Sequence, residues 1–152
     1  MAIIKPQSIK RRGFTLVEAL LVLALLSLVV GLSLPIYQGL QVKTNLDAQE
    51  SIIAQTLRRA QSLSRAMSND SSWGVLVGTS TVSLFSGNSY AFRNANYDEI
   101  FDLPASVIPA TTTEIVFSKY LGWPNAAATI TLTTVNNDSR NLVINSQGMI
   151  EY

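Results

Sequence analysis

The residues of this chain whose types and spacing suit chemistry lie near the N-terminus, in Gly13-Phe14-Thr15-Leu16-Val17-Glu18. The cations Lys10-Arg11-Arg12 precede this segment directly, and an apolar run, 19–26, follows it. Glu18 therefore places a carboxylate inside an otherwise apolar stretch. A charged side chain at bilayer depth costs about 2.5 to 3.5 kcal/mol on insertion scales, so it usually serves a function that needs it.

A simpler interpretation is a secretion signal in which Glu18 only tolerates a position near the cytoplasmic interface. A secretory signal peptide ends in a small-x-small cleavage site after an apolar core of about 7 to 15 residues. Here the run ends at 31–37, which offers a poor site of that kind. Basic residues precede Gly13 and none lies between Phe14 and Leu34, which predicts a cytoplasmic N-terminus and an exported remainder.

The segment from Gly13 to Glu18 resembles the processing motif of type IV prepilins and of the pseudopilins of type II secretion. The resemblance implies that a prepilin peptidase in the membrane cleaves between Gly13 and Phe14 and methylates the new amine of Phe14. The apolar segment then stays on the mature protein. A small residue before the cleaved bond is reasonable, because Gly13 lets an extended backbone enter a tight protease cleft.

In that family, the carboxylate that matches Glu18 is thought to pair with the N-terminal amine of a neighbouring subunit. The physics is favourable, because a lone carboxylate in lipid is penalised and a cation from the next subunit removes much of the penalty. We therefore expect Glu18 to guide assembly and register, and not to act as a catalytic acid.

The elements that must position these residues follow from the charge and hydropathy pattern. The chain divides into a leader peptide (1–13), a transmembrane and assembly helix (14–35), an amphipathic helix (36–68) and a β-rich globular domain (69–152). The apolar run up to residue 34 is long enough, at about 1.5 Å per residue, to cross a hydrocarbon core of about 30 Å. Pro35 predicts a helix kink, unless the helix ends before it and restarts after it.

The segment after this joint predicts an amphipathic helix that packs against its own domain. Apolar and small residues recur there mostly at intervals of three, four or seven, with polar residues falling largely elsewhere. The predicted stripe consists of Leu40, Leu46, Ile53, Leu57, Ala60, Leu63, Ser64 and Met67.

The remainder favours β-structure, with mostly antiparallel strands and no helical pattern between them. Gly87-Asn88 predicts a tight hairpin, and residues 94–109 are interpreted as a loop. The fold class is therefore α+β: a long N-terminal helix, transmembrane in one half and amphipathic in the other, packed against a small antiparallel β-sheet or sandwich domain, which is the pilin fold that the resemblance implies. The predicted strands are 73–77, 82–85, 89–92, 114–117, 129–133, 141–144 and 149–152.

Two further segments are similar to the minor pseudopilins and pilins of the GspH/FimT type. One is 57–66, which leads through a polar linker into Trp73-Gly74-Val75, and the other is the closing segment 145–150. The resemblance then implies a minor, GspH-like subunit. The aromatic residues of the domain are interpreted as core rather than as a sugar or adhesin platform, with Trp123 expected to be the most exposed. These aromatic residues are Trp73, Phe85, Phe101, Phe117 and Trp123.

The composition excludes several classes of enzyme. The chain has no Cys and no His, so zinc sites, Cys or His nucleophiles and a Ser-His-Asp triad cannot be built. We predict no enzymatic activity, no cofactor and no metal site. The oxygen-rich stretches 98–102 and 136–138 lack the spacing of a calcium loop and are interpreted as solvated turns.

The charge balance argues against a general nucleic-acid binder. Eleven basic and ten acidic residues give a net charge of +1, but four of the cations precede Phe14. Without that leader, seven basic side chains face ten acidic ones, which gives −3. Arg58, Arg59 and Arg65 share a helix and are interpreted as part of a solvated face rather than a DNA footprint. Some minor pilins of the resembled family bind DNA, so DNA stays open as a partner.

These observations predict a non-enzymatic subunit of a pilus, a secretion pseudopilus or a DNA-uptake filament. The subunit would sit as a single-pass protein in the inner membrane, with a cytoplasmic N-terminus. It would then enter an extracellular or periplasmic fibre, homo- or hetero-oligomeric, built from such helices. The alternative is a bitopic membrane-anchored module whose external β domain binds a ligand or DNA and never polymerises.

Overall fold

The computed structural model of the protein describes residues 13–152, with the side chains of residues 32–38 excepted. The chain divides between residues 38 and 39 into two compact units. A helix, α1, spans Leu16–Arg65. Apart from Gly13, the predicted leader lies outside the described residues, and so does the side chain of Pro35, where a kink was predicted.

Helix α1 begins where Thr15 supplies its N-terminal cap. The Thr15 hydroxyl accepts a hydrogen bond from the Glu18 backbone N–H at 3.2 Å, and the Thr15 carbonyl accepts one from the Ala19 N–H at 3.1 Å. Within residues 13–152, no helix combines the length and the apolar character that crossing a membrane requires. The membrane span proposed for residues 14–35 stays a prediction.

The second unit contains two four-stranded antiparallel sheets within the described residues. The strands are β1 (Trp73–Val77), β2 (Thr81–Ser86), β3 (Asn94–Asp102), β4 (Val107–Pro109), β5 (Thr113–Phe117), β6 (Ala128–Thr134), β7 (Ser139–Ile144) and β8 (Ile150–Glu151). One sheet has the order β3-β2-β1-β5 and the other the order β4-β6-β7-β8.

The core of this unit lies between the C-terminal half of α1 and both sheets. The predicted stripe is largely confirmed, whereas Leu40 and Met67 are exposed. Met67 follows the last helical residue, Arg65, and has a left-handed backbone with φ of 52°. The arrangement is the predicted α+β one, a helix packed against a small antiparallel β domain. The buried members of the stripe are Leu46, Ile53, Leu57, Ala60 and Ser64.

The predicted hairpin at Gly87-Asn88 is wrong. Residues 90–92 form a short 3₁₀ turn, and β2 pairs instead with β3, which the sequence predicted as loop. The Tyr90 backbone N–H donates to the Glu114 carboxylate at 2.9 Å, which holds the segment in the turn. Gly87, with φ of 151°, lets the chain fold back so closely that a Cβ there would lie 2.9 Å from the Arg93 Cα.

Candidate functional site

The predicted cleavage bond, Gly13–Phe14, lies in irregular backbone just ahead of α1. Both residues are exposed, and a Cβ built on Gly13 would meet no atom of the described chain within 4 Å. A side chain at residue 13 would therefore not clash with the described chain. A requirement for glycine at this position would have to come from the molecule that binds it.

Glu18 lies in the first turn of α1 and is exposed. Its backbone N–H is bound by Thr15, and a carboxylate in this turn is favoured by the positive end of the helix dipole. Among the described residues, no cationic side chain forms an ion pair with its carboxylate. The first helical turn therefore presents an exposed carboxylate that has no ion-pair partner among the described residues.

Thr15 is a residue of this site that the sequence reasoning missed. Its spacing to Glu18 is the Thr-x-x-Glu pattern of a helix capping box, and this signal predicts a helix start at this point. The cap fixes where α1 begins, and it thereby fixes how far Glu18 lies along the helix from Phe14.

The described N-terminal part of α1 is exposed and almost uniformly apolar between residues 16 and 31. A helix that is apolar on all sides is normally buried in lipid or among other helices. This apolar helix surface therefore needs a cover that the described chain does not supply. Its large exposed residues are Leu16, Val17, Leu20, Leu21, Val22, Leu23, Leu25, Leu26, Leu28, Val29 and Val30.

The three arginines of α1 that the sequence predicts to be solvated all contact residues of the β domain. Arg59 forms an ion pair with Glu99 of β3 at 2.6 Å. The Arg65 Nε donates to the Leu121 carbonyl at 3.2 Å. The Arg58 guanidinium stacks on the ring of Tyr152, 5.2 Å from its centroid. A DNA-binding surface would need these cations free to contact phosphates, whereas each of them contacts the same chain.

Two acidic residues of the stretch 98–102, Asp98 and Glu99, also form ion pairs with arginines. The Arg93 Nε lies 2.7 Å from Asp98 Oδ2, and its guanidinium lies 3.7 Å from the centroid of the Tyr90 ring. The hydrogen bond to Asp98 is the main reason that the pKa of Arg93 is raised above its ordinary value. Glu99 pairs with Arg59, and the described part of the chain contains no group of three or more acidic side chains that could hold a metal ion.

The C-terminal end of α1 organises two loops of the β domain. The Gln61 side-chain N–H group donates to the Gly122 carbonyl at 2.9 Å and to the Gly148 carbonyl at 3.0 Å. Trp123, next to Gly122, is 52% exposed. Of the aromatic residues predicted to form the core, three are buried and Trp123 is exposed as expected. The prediction is wrong for Phe101, which is 36% exposed on β3. The buried three are Trp73, Phe85 and Phe117.

Comparison with known protein families gives a match to the N-terminal segment. Residues 9–34 match the family described as the prokaryotic N-terminal methylation motif. No match was found among curated proteins or among solved structures. The matched segment contains Gly13, Phe14 and Glu18 and ends inside α1. This motif indicates a prepilin-like protein of the type IV pilin and pseudopilin kind, a substrate for processing by prepilin peptidase.

Proposed function

We propose that the chain is a structural, non-enzymatic subunit of a type IV pilus or type II secretion pseudopilus. In this proposal, prepilin peptidase cleaves after Gly13 and methylates Phe14, and the N-terminal helix then drives assembly. The observation that carries the proposal is the methylation motif at residues 9–34, which includes the start of an apolar helix with a carboxylate in its first turn.

The apolar helix surface supports this function. Burial of apolar area contributes about 25 cal/mol per Å², and the exposed side chains of this helix offer a large area for lateral packing. Such packing is non-directional, so it supplies affinity without fixing register. Glu18 supplies a directional contact, because an amine from a neighbouring subunit would remove the cost of burying its carboxylate.

The proposal includes a single-pass location in the inner membrane before assembly, with a cytoplasmic N-terminus. Its support is the apolar sequence from residue 14 to residue 34 and the basic residues that precede it. It also includes the assignment as a minor, GspH-like subunit, which rests on the two similar segments at 57–66 and 145–150.

Processing in the presence and absence of prepilin peptidase tests the proposal. Intact-mass measurement of membrane fractions should show the loss of a leader of roughly 1.5 kDa and the gain of a methyl group of about 14 Da. The new N-terminus should be Phe14. A chain that keeps residues 1–13 in the presence of active peptidase would support the non-polymerising, membrane-anchored module instead.

A glycine variant and a matched control sharpen this test. Gly13→Val should block processing, although a Cβ there meets nothing in the described chain, because the restriction would lie in the peptidase cleft. Gly31→Val is the control, since a Cβ at that position is also unopposed within 4 Å and the residue lies away from the cleaved bond. Equal processing of both variants would contradict cleavage at Gly13.

A further inference from the structure

Trp123 is an exposed indole on a well-fixed loop of the β domain. Its backbone N–H donates to the Ser118 hydroxyl at 3.2 Å, and its carbonyl accepts from the Ser118 N–H at 2.8 Å. Gly122 turns the chain before it with a left-handed φ of 64°. Pro124 forms a bridge to Phe117 at the end of β5. The exposed ring is therefore carried by a backbone that is hydrogen-bonded on both sides.

The surface depression beside this ring is uncharged. The described residues that line it are apolar or carry neutral hydroxyl or amide groups, so the depression favours neither an anion nor a cation. A nucleic acid would require basic side chains here, and none lines the depression. The lining residues are Asn88, Val116, Ser118, Trp123, Pro124 and Asn125.

Several hydrogen-bonding groups of this depression are unused. The Asn125 Oδ1 accepts from the Val116 N–H at 3.2 Å, which fixes the side chain and leaves its amide N–H groups pointing elsewhere. Among the described residues, neither the Trp123 indole N–H nor the Asn88 side-chain amide has a hydrogen-bond partner. An apolar ring face thus lies beside three neutral polar groups.

We infer that this depression, the Trp123 depression, binds a neutral oligosaccharide. A pyranose ring has an apolar face of C–H groups that stacks on an indole, and its hydroxyl groups are donors and acceptors for amide side chains. Neutral sugars match the lack of charge in the lining. This inference adds a ligand to the β domain and does not depend on whether the chain polymerises.

The two tryptophans of the chain provide a built-in optical test. Trp73 is 5% exposed and donates its indole N–H to the Ser68 carbonyl at 3.0 Å, so its emission should not respond to a surface ligand. The full-length chain, kept in a detergent without a sugar headgroup, is titrated with maltotriose and with chitotriose. We expect a saturable blue shift of the Trp123 emission with at least one of them, retained in Trp73→Phe.

Variants of the lining separate sugar binding from a general surface effect. Trp123→Ala should weaken binding by about tenfold or more in calorimetry, and Asn88→Ala by about threefold to tenfold. Phe92→Ala is the matched control, since Phe92 is an aromatic residue that is 88% exposed and does not line the depression. Its affinity should equal that of the wild type.

Three outcomes would overturn the inference. The first is that neither sugar gives a saturable response up to about 10 mM. The second is that Trp123→Ala binds the sugar with unchanged affinity. The third is that Trp123→Ala and Phe92→Ala lose equal amounts of affinity. If the sugars are silent and Trp123→Ala instead lowers incorporation into fibres, the depression is a contact between subunits. Peptidase processing of each variant is measured in parallel, so that a failure of the proposed function is seen separately.

Discussion

Thr15 and Glu18 lie at the start of helix α1, and their contact within the chain needs no second subunit. The Thr15 cap fixes the start of the helix, and the helix dipole favours a carboxylate in the first turn, so the position of Glu18 is set when the chain is alone. What the described residues do not provide is a cation for it. In the proposed assembly, a neighbouring amine would therefore complete an ion pair at Glu18.

Replacing Glu18 with glutamine tests this incomplete ion pair. Glu18→Gln keeps the size of the side chain and removes its charge, so we expect normal processing but at least about tenfold less incorporation into fibres. The measurement is the amount of the chain in sheared surface or periplasmic fibres relative to the membrane. Ser27→Ala, on the same exposed part of α1, is the control and should assemble normally. Normal assembly of Glu18→Gln would contradict the role of the charge.

Ser64 joins the end of α1 to two strands. Its hydroxyl is fully buried, accepts from the Trp73 N–H at 2.9 Å and donates to the Phe117 carbonyl at 3.0 Å. Ser64→Ala leaves these buried groups without a partner and should lower the free energy of unfolding by about 1 to 3 kcal/mol. Thermal unfolding by circular dichroism measures the change. Ser62→Ala, on the exposed side of the same turn, should change stability by less than about 0.5 kcal/mol.

At the scale of elements, the backbones of two loops lie close to the Gln61 side chain of α1. Gly148 has a left-handed φ of 81°, and a Cβ there would overlap the Gln61 side chain and lie 3.0 Å from the Gly122 carbonyl. The turn after β7 and the loop after β5 therefore meet at a point that admits no side chain.

Gly148→Ala should separate these loops and lower the free energy of unfolding by about 1 to 3 kcal/mol, because both the space and the backbone angle oppose it. Hydrogen exchange should show faster opening of 118–125 and 145–149. Gly39→Ala is the control, since its Cβ meets nothing within 4 Å and alanine favours a helix. Unchanged exchange in Gly148→Ala would show that the loops do not depend on this contact.

The pair formed by Arg93 and Asp98 should be insensitive to pH near neutrality. Because the pKa of Arg93 is raised, its contribution is fully present below the unfolded pKa and is lost only as the pH rises through the folded one. The difference in unfolding free energy between the wild type and Arg93→Met should therefore stay constant between about pH 6 and pH 9. Denaturation at several pH values measures it, and a steep slope in that window would contradict the assignment.

The helix was predictable from sequence because its periodicity is local information. Leu46, Ile53 and Leu57 repeat on one face, and all three are buried. Strand β3 was not predictable, because its Asn, Asp and Glu residues favour turns in isolation. Its acidic side chains are matched by Arg59, which is distant in sequence, and by Arg93.

The same distinction applies to the candidate site. The motif around Gly13 and Glu18 is contiguous and was found from the sequence, and its match to the methylation family is confirmed. The Trp123 depression combines residues of the β2–β3 connection with the segment after β5, so it required the fold.

At the scale of the whole molecule, residues 39–152 form a compact unit with a core of their own. The chain has no Cys, so this core is not cross-linked by disulfides. Its stability must come from apolar packing between α1 and the two sheets, with ion pairs such as Arg140 to Asp47 at 2.9 Å adding little at the exposed surface.

A fragment that begins at Gly39 keeps the C-terminal part of α1 and should therefore fold without residues 16–38 of that helix. We expect a cooperative thermal transition and dispersed NMR spectra, with the same midpoint in the presence and absence of a reducing agent. A fragment with Ile53→Ala and Leu57→Ala, two fully buried positions, is the control and should lose the transition. A non-cooperative transition in the unmodified fragment would show that the N-terminal unit is required for folding.

Three of the four edges of the two described sheets limit how copies of this domain can associate. The backbone of Asn125 and its side-chain oxygen occupy Val116 on the outer side of β5, so a further strand cannot add there. In the other sheet, β4 has three residues and ends in Pro109, and β8 has two residues. Short, blocked or proline-ended margins resist strand-to-strand aggregation. At these three edges, a high local concentration of the domains is therefore compatible with each domain keeping its own sheets separate. The fourth edge is the longer strand β3, which has nine residues.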